Sequence, residues 1–475
     1  MINSLRSAFS LDLRSLAIFR FCLGMLICID ILNRSLNFTE HYGAHGVMPL
    51  YEMIVKHFNY EHFSLYFIHQ SYLFTAILFA LTFVSGVAVA VGFRTRTFLI
   101  LAWVLVVSLH NRNYMVLQGG DEVLRMLMLW GIFLPLGRVW SFDQTQNAEP
   151  VKSTQMSVIS VATVAVIVQL IVLYTSTALL KSGHSWTQDY TAGALSLHSG
   201  PFVTHFGKWL RQFEPMLAFG TFATYYLELF GTLLFIVPVL TGWFRLIGII
   251  AFVMLHINIS LTLNVGLFPL INIISFLPLL PAEFWQKALP HQQPKQPPSP
   301  LAEEEASLSA QVICFILLII SVLGSFPPTK NWSISRHPNF IYIQKLLRLD
   351  ANWGMFAPNP PKISYWYVIE GEFSDGKKYN IAIDKKEELS DEIPPHIADR
   401  FRSQRWRKYL DNLANSRNKK NWVLYANYIC RRWQEAPDQP KLKEFRIYNM
   451  KYSIKSDFSY SPVNKEHKWH WVCPN

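Results

Sequence analysis

The chain has 475 residues, of which 51% are hydrophobic and only 16% charged, against about 25% charged in ordinary soluble domains. Its net charge of +11 lies almost entirely at one end, since the part from residue 325 onward holds 26 Lys and Arg against 16 Asp and Glu. This distribution excludes a uniform soluble protein and indicates an apolar membrane module followed by a basic, water-exposed domain. No nucleic-acid motif accompanies the positive charge, so we expect the lipid bilayer, and no nucleic acid, as its partner.

Apolar segments of membrane-helix length recur through the first two thirds of the chain. Nine spans are predicted, at about 16–36, 72–93, 97–111, 123–140, 156–181, 217–240, 244–264, 267–284 and 310–324. The first span lacks an Ala-x-Ala cleavage site and is expected to be retained. Connectors on the N-terminal side of the bilayer carry nine basic residues and the opposite connectors five. This excess places the N-terminus inside, and nine spans then place the C-terminal domain outside.

The expected fold is a mainly α polytopic membrane helix bundle over residues 1–324, followed by a C-terminal α+β extramembrane domain over 325–475. Within the bundle, the segment 285–309 is rich in Pro, Gln and Glu and is predicted to be a flexible inner loop. Cys430 and Cys473 are candidates for a disulfide, provided that the C-terminal domain faces an oxidising compartment.

The C-terminal domain carries signals for both strands and helices. Ser-Asp-Gly at 374–376 lies between two β-rich runs and predicts a hairpin. Residues 396–433 are predicted to be helical, and residues 443–454 to form another strand.

The fifth span ends in a lysine, Lys181. Tyr174, Thr177 and Lys181 share one helical face, so the amine lies at the end of a polar stripe. Such a lysine is either an interfacial anchor or an amine withdrawn from water that can act as a base. Directly after it, Ser185 to Gln188 has the spacing of a capping box and predicts the start of a new helix.

Ionisable side chains at membrane depth are costly and mark functional sites or internal ion pairs. Arg20 in the first span and Glu228 in the sixth are predicted to form a structural ion pair. His256 in the seventh span is either a core histidine or part of a site, and Asp121 and Arg125 are at pairing distance on one helix. The predicted orientation brings seven polar residues to the outer helix ends, where they form a candidate site: His110, Arg112, Asp121, Arg125, Lys181, His184 and Asn264.

Known nucleotide-binding and hydrolase motifs are absent from the sequence, which contains no P-loop, GxSxG, HExxH or GxGxxG in context. The five cysteines form no CxxC pair, and no metal site is predicted.

Several separated motifs resemble the HTTM (horizontally transferred transmembrane) domain, which vitamin K-dependent γ-carboxylases share. They are Leu16-Ala-Ile-Phe-Arg20-Phe-Cys-Leu-Gly24, Gly43-Ala-His-Gly46-Val-Met-Pro49, Arg112-Asn113, Gly120-Asp121, Arg125, Phe133-Leu-Pro135, Trp140-Ser-Phe-Asp143, Leu180-Lys181…Trp186 and His256…Gly266-Leu-Phe268. The resemblance extends over roughly residues 10–285. Two departures are that Leu180 stands where the carboxylases carry a second lysine, and that His110-Asn-Arg-Asn replaces their Trp-Asn-Asn-His.

In the carboxylases, the lysine that matches Lys181 deprotonates reduced vitamin K and thereby drives the addition of CO2 to a substrate glutamate. The resemblance therefore implies a reduced quinone of the vitamin K or menaquinone type as cofactor, with Lys181 as base. His256 is the second expected catalytic residue. Residues expected to bind quinone or substrate are Asn264, Trp186, Arg112, Asp121 and Arg125. A protein or peptide substrate would then meet the outer face.

Two other functions are open at this point. A membrane scaffold or envelope-assembly protein would keep the fold without the chemistry and present its basic domain to a partner. A transporter would use broken helices, for which the Gly266-Leu-Phe-Pro269 segment is a weak signal.

Overall fold

The structure is a computed structural model, which describes residues 2–56, 63–146, 156–289, 302–303, 307–325, 337–351, 353–416, 418–435 and 440–474. The helices of the first half are α1 (Ile2–Phe9), α2 (Leu13–Ser35), α3 (Phe38–Tyr42), α4 (Leu50–Lys56), α5 (Tyr72–Val91), α6 (Thr95–Arg112), α7 (Gly119–Phe133), α8 (Phe142–Gln146), α9 (Val161–Leu180) and α10 (His184–Thr187). Those of the second half are α11 (Ala192–His198), α12 (His205–Leu210), α13 (Glu214–Phe230), α14 (Thr241–Thr262), α15 (Phe268–Ser275), α16 (Ala282–Ala288), α17 (Leu308–Ser325), α18 (Pro338–Leu347), α19 (Gln404–Ala414) and α20 (Lys419–Gln434). The strands are β1 (Leu11–Asp12), β2 (Ser157–Ile159), β3 (Ala302–Glu303), β4 (Ile363–Phe373), β5 (Lys378–Asn380), β6 (Leu442–Ser453) and β7 (Asn464–Val472).

Among the described residues, six helical segments are long and apolar enough to cross a membrane, and a seventh results if one bent pair is a single span. The six are Leu13–Ser35, Tyr72–Val91, Val161–Leu180, Glu214–Phe235, Thr241–Thr262 and Leu308–Ser325, and the bent pair joins Phe268–Leu279 to Ala282–Ala288 at 93°. The predicted count of nine is therefore not confirmed. The predicted third and fourth spans are α6, which ends in the polar sequence His110-Asn-Arg, and α7, which has only 15 residues. Helix α7 is buried by protein along most of its length, so it does not need the apolar length that lipid demands.

Helices α2 and α5 approach each other closely at a pair of glycines. A Cβ atom on Gly24 would lie 2.5 Å from the carbonyl oxygen of Gly86, so glycine is required where the two backbones meet. One turn earlier on α2, the Arg20 guanidinium donates to the carbonyl oxygens of Leu136, Val139 and Trp140. Arg20 therefore holds the loop after α7 and does not pair with Glu228, which corrects the predicted ion pair.

The C-terminal domain is built on a four-stranded antiparallel sheet of order β5-β4-β6-β7, with α19 and α20 packed on it. The predicted hairpin is confirmed as β4 and β5, and its turn places Gly376 at φ 77°, where glycine is favoured. The predicted strand at 443–454 is confirmed as β6, whereas β7 was not predicted. The helical prediction for 396–433 holds for two separate helices, since α19 ends at Ala414 and α20 begins at Lys419.

Cys430 and Cys473 form a disulfide that ties α20 to the end of the chain. The sequence left this pairing open, and the structure shows that it forms. The predicted inner loop at 285–309 lies for the most part outside the described residues.

The membrane bundle and the C-terminal domain share packed surfaces. Met115, Val116 and Leu195 of the bundle pack into the core of the C-terminal domain, while Leu349 and Trp353 pack into the core of the bundle. Five helix termini therefore meet the C-terminal domain at one face of the bundle: the ends of α2, α6, α9 and α14 and the start of α7. We call this the domain face.

Candidate active site

Lys181 lies at the domain face, where α9 ends. The residue caps the helix with its backbone N–H on the carbonyl of Ala178, and only 4% of its surface is exposed. Its ammonium makes a very short ion-pair contact with the carboxylate of Glu228, which is itself only 6% exposed. The same Nζ lies 4.5 Å from the centre of the Trp186 ring. Lys181 is thus a buried, paired amine and not an anchor in the headgroups.

A second polar group lies on α9, α14 and α15. The Tyr174 hydroxyl is 2.6 Å from His256 Nε2 and 3.3 Å from Asn272 Oδ1. Asn272 Nδ2 donates to the carbonyl of Phe268 at 2.8 Å, which fixes its Oδ1 as the acceptor for Tyr174. Because Tyr174 donates its one hydroxyl proton to Asn272, we assign His256 Nε2 as the donor to the phenol oxygen. The other ring nitrogen, Nδ1, is consequently an acceptor, and it is buried without a hydrogen-bond partner.

Aromatic rings surround this second group. Phe252 and Phe276 lie 4.4 and 5.7 Å from the Tyr174 ring, and Phe268 lies 5.7 Å from the His256 ring. Lys181 follows Tyr174 by two turns at the end of α9, and the charges of Lys181 and Glu228 act on His256 and Tyr174. The ion pair and the histidine group therefore form one centre, which we call the lysine centre: Lys181, Glu228, Trp186, Tyr174, His256 and Asn272.

The loop after α9 covers the lysine centre and is held there by contacts with the C-terminal domain. Trp186 Nε1 donates to the carbonyl of Phe356 at 3.0 Å, and the Gly183 N–H donates to the carbonyl of Pro358 at 3.1 Å. A Cβ atom on Gly183 would collide with the Asn359 side chain. Helix α10 is capped by Gly183, so the predicted capping box that starts at Ser185 is wrong. Ser185 instead donates its hydroxyl proton to Asn359 Oδ1 at 2.7 Å.

A second buried cluster lies elsewhere on the domain face. Arg405 of α19 reaches into the bundle and donates to Asp30 at 2.7 Å and to Asp121 at 3.2 Å. Arg34 contacts the same two carboxylates and, at 2.9 Å, His110 Nε2. We call these five residues the carboxylate cluster. Asp121 thus pairs with arginines of α2 and α19 and not with Arg125, which contradicts the pairing considered from their spacing.

Three members of the carboxylate cluster, Asp30, His110 and Asp121, are close enough to hold a metal ion. Their oxygen and nitrogen atoms, however, already contact the guanidinium groups of Arg34 and Arg405. A divalent cation would have to displace two fixed positive charges, so the donor set suits arginine better than a metal.

Two further predicted site residues lie outside the lysine centre. Arg112 donates to the carbonyl oxygens of Met48 and Gly43 and holds the loop between α3 and α4. Asn264 lines a cavity of about 270 Å³ between the end of α14 and the C-terminal domain, together with His205 and His396. Of the residues predicted to bind the quinone, the structure therefore brings only Trp186 to Lys181.

Tyr174, Glu228 and Asn272 complete the centre, although none was assigned a catalytic or binding role from the sequence. Asn272 could have been found, because it is the only amide in the apolar run 267–284. The ion pair of Glu228 with Lys181 could not be predicted from spacing, because the two residues lie 47 positions apart in the sequence.

His198 makes part of the contact between the bundle and the C-terminal domain sensitive to pH. Its ring stacks on Phe458, and its Nδ1 lies 3.0 Å from the hydroxyl of Tyr460. Burial and the charge of Arg211 lower the pKa of His198 from 6.5 to about 4. The unfolded or undocked chain therefore binds the proton more readily, so this contact is fully stable above pH 6.5 and loses stability as the pH falls toward 4.

We expect His198→Phe to flatten the fall in unfolding temperature between pH 6.5 and 4, because phenylalanine keeps the ring contact and does not titrate. Thermal unfolding of the protein in nanodiscs at several pH values measures this. His184→Phe, at an exposed histidine on the same face, is the control and should keep the wild-type pH dependence. Equal slopes for wild type and His198→Phe would contradict the assignment.

These features define a multi-pass membrane protein in which polar groups are buried at one end of a helix bundle, beneath a C-terminal domain that contains a β-sheet. The chain belongs to the HTTM domain family, whose sequence model matches residues 10–285. The predicted resemblance and its extent are thereby confirmed. No curated protein and no solved structure matches the chain.

Proposed function

We propose that this protein is a membrane enzyme that acts on a reduced quinone, with Lys181 as the base. The observation that carries the proposal is the buried ion pair of Lys181 and Glu228 beside a histidine whose acceptor nitrogen has no partner. A structural lysine would not need a second, unsatisfied polar group next to it. Membership in the HTTM family, which the vitamin K-dependent γ-carboxylases share, supports the same chemistry.

The residues of the lysine centre fit a reduced quinone. Trp186 and the phenylalanines around Tyr174 offer aromatic surface to a flat ring. The acceptor nitrogen of His256 suits a hydroxyl group, which a reduced quinone has and an oxidised quinone lacks. When bound, a reduced quinone would supply an acidic hydroxyl and two reducing electrons.

A proton transfer within the ion pair frees the amine without a change of net charge in the apolar interior. If Glu228 takes the proton of the Lys181 ammonium, the pair becomes a neutral amine and a neutral carboxylic acid. The desolvation cost of two buried charges favours this exchange, and their mutual attraction opposes it. Lys181 is then a free amine that can remove a proton from a hydroxyl, while Trp186 and the closing loop exclude water.

His256 is a positioning and accepting residue in this scheme. The chain of hydrogen bonds from Nε2 through Tyr174 to Asn272 fixes the ring orientation and keeps Nδ1 unprotonated. Asn264 belongs to the separate cavity and has no part in the scheme.

The protein in nanodiscs, given reduced menaquinone and oxygen, tests the proposal by the yield of quinone epoxide. We expect Lys181→Ala to lower the rate by about 10²- to 10⁴-fold, the usual contribution of a general base. Lys287→Ala is a matched control, because Lys287 also lies 4.5 Å from a tryptophan ring, that of Trp243, but at the other end of the bundle. Equal yields from wild type and Lys181→Ala, or none from either, would rule out this function.

We further propose that the domain face is the non-cytosolic face and that a protein or peptide substrate meets it there. The disulfide of Cys430 and Cys473 supports this orientation, because disulfides persist in oxidising compartments. A thiol reagent that cannot cross membranes should label Ser390→Cys, at an exposed position of the C-terminal domain, in intact cells. Labelling only after the cells are opened would reverse the orientation.

A membrane scaffold is the second candidate, and the closure of the lysine centre favours it. Lys181 and Glu228 join α9 to α13 and satisfy each other, as a purely structural ion pair would. A scaffold would lose its bound partner in pull-downs when the C-terminal domain is deleted, while Lys181→Ala would have no effect on that partner.

A further inference from the structure

Arg125 of α7 carries a buried charge that the described part of the protein leaves without a counterion. Only 2% of the residue is exposed, and among the described residues its guanidinium forms no ion pair. Its Nε has no hydrogen-bond partner, and its one described contact runs from Nη1 to His110 Nδ1 at 3.2 Å. The other buried arginines described in the bundle each donate to a carboxylate or to two or more carbonyls; they are Arg14, Arg20, Arg34, Arg112 and Arg245.

His110 cannot neutralise this charge. Its Nε2 lies 2.9 Å from Arg34 and its Nδ1 3.2 Å from Arg125, and both guanidinium groups are donors only. A neutral imidazole has one acceptor nitrogen, so at most one of the two arginines is satisfied there. Of the nearby carboxylates, Asp30 and Asp121 are occupied by Arg34 and Arg405, and the charge of Glu122 acts on Arg348.

Arg348, at the end of α18, adds a second positive charge close to Arg125. Its Nε is also buried without a partner, and its carboxylate contact, with Asp350, is 4.0 Å long. Burial, followed by the charge of Arg125, lowers the pKa of Arg348 to about 10. Both guanidinium groups are buried, each has an Nε–H without a hydrogen-bond partner, and the charge of one acts on the other.

We propose that Arg125 and Arg348, with His110 beside them, form a binding site for a small planar oxyanion, a carboxylate such as formate or bicarbonate. An isolated buried charge is unfavourable, and an anion between the two guanidinium groups removes that desolvation cost. The planar fork of N–H donors on arginine matches the two oxygens of a carboxylate, which a spherical ion such as chloride does not offer. The site lies apart from the lysine centre and does not depend on the proposed function.

Thermal unfolding of the full-length protein in nanodiscs, titrated with sodium formate against sodium chloride at equal ionic strength, tests the proposal. We expect formate to raise the unfolding temperature of wild type by several degrees in a saturable manner, since it binds only the folded state. Arg125→Met should abolish the rise. Arg138→Met, at an exposed arginine near the other end of the bundle, should leave it unchanged.

Arg125→Lys covers the case in which the methionine variant does not fold. Lysine keeps the charge without the fork, so the formate concentration for half the effect should increase about 10-fold. A formate response that is the same in wild type and in the Arg125 variant would overturn the site. An equal response of wild type to formate and chloride would overturn the oxyanion class.

Discussion

Glu228→Gln is expected to destabilise the protein by about 3–5 kcal/mol, because it leaves the Lys181 ammonium buried beside a neutral amide. The variant should also lose quinone turnover, since the amide cannot take the proton of the amine. Thermal unfolding and epoxide yield in nanodiscs measure the two effects separately. Glu283→Gln, at an exposed carboxylate on α16, is the control for both measurements.

A double variant separates the structural from the catalytic part of this prediction. Lys181→Met with Glu228→Leu replaces the ion pair by apolar side chains of similar volume, an exchange that is often neutral or stabilising. We expect it to unfold near the wild-type temperature and to remain inactive. A double variant that is stable and fully active would show that the ion pair has no part in the reaction.

Arg405→Met is the second variant for which we expect a large loss of stability. The guanidinium of Arg405 lies between Asp30 and Asp121, and its loss leaves two buried carboxylates with Arg34 as their shared partner. The cost should be about 3–5 kcal/mol, and it should appear first as release of the C-terminal domain from the bundle. Hydrogen exchange of α19, and protease cleavage between the bundle and the C-terminal domain, should both accelerate.

Arg407→Met is a matched control for this experiment. Arg407 lies on the same helix, is equally buried and donates to the carbonyl of Pro201, without a carboxylate partner. Its loss should therefore cost less than the loss of Arg405. Asp30→Asn combined with Arg405→Met should be less destabilising than the sum of the single changes, because the two residues are in contact. Additive effects would contradict a role for Arg405 as the counterion of Asp30.

The transmembrane character and the family could be predicted because they rest on long local patterns. The apolar run that ends at Lys181 predicts a membrane helix by itself, and α9 has almost the expected bounds. The span count was harder to predict, because α7 is apolar through burial in protein rather than in lipid. Composition does not distinguish these two apolar environments.

The partners of the buried charges could not be predicted from spacing. Arg20 and Glu228 are both at membrane depth, yet one binds carbonyls of a loop and the other binds Lys181. Arg405 lies in a basic stretch that looks like a solvated helix face, although it ends in the bundle 375 positions from Asp30. Such pairings depend on how the C-terminal domain docks, which no local pattern specifies.

The helix ends that carry several of the predicted site residues lie at one face of the bundle. Once the direction of each span is assigned, the ends that carry Asp121, Lys181 and Asn264 must lie at the same face. Their division into a lysine centre, a carboxylate cluster and a separate cavity depends on packing between helices. For this reason Asn264 lines the separate cavity, whereas Asn272, on the following helix, is part of the lysine centre.

The enzyme hypothesis and the scaffold hypothesis differ most clearly in where they expect a quinone to bind. A cryo-EM map of the protein in nanodiscs with reduced menaquinone would decide between them. We expect density for a ring against Trp186, with an oxygen within hydrogen-bond distance of His256 Nδ1 and of the Lys181 amine. An unchanged contact between Lys181 and Glu228, with the quinone elsewhere or absent at saturating concentration, would contradict the proposed enzyme.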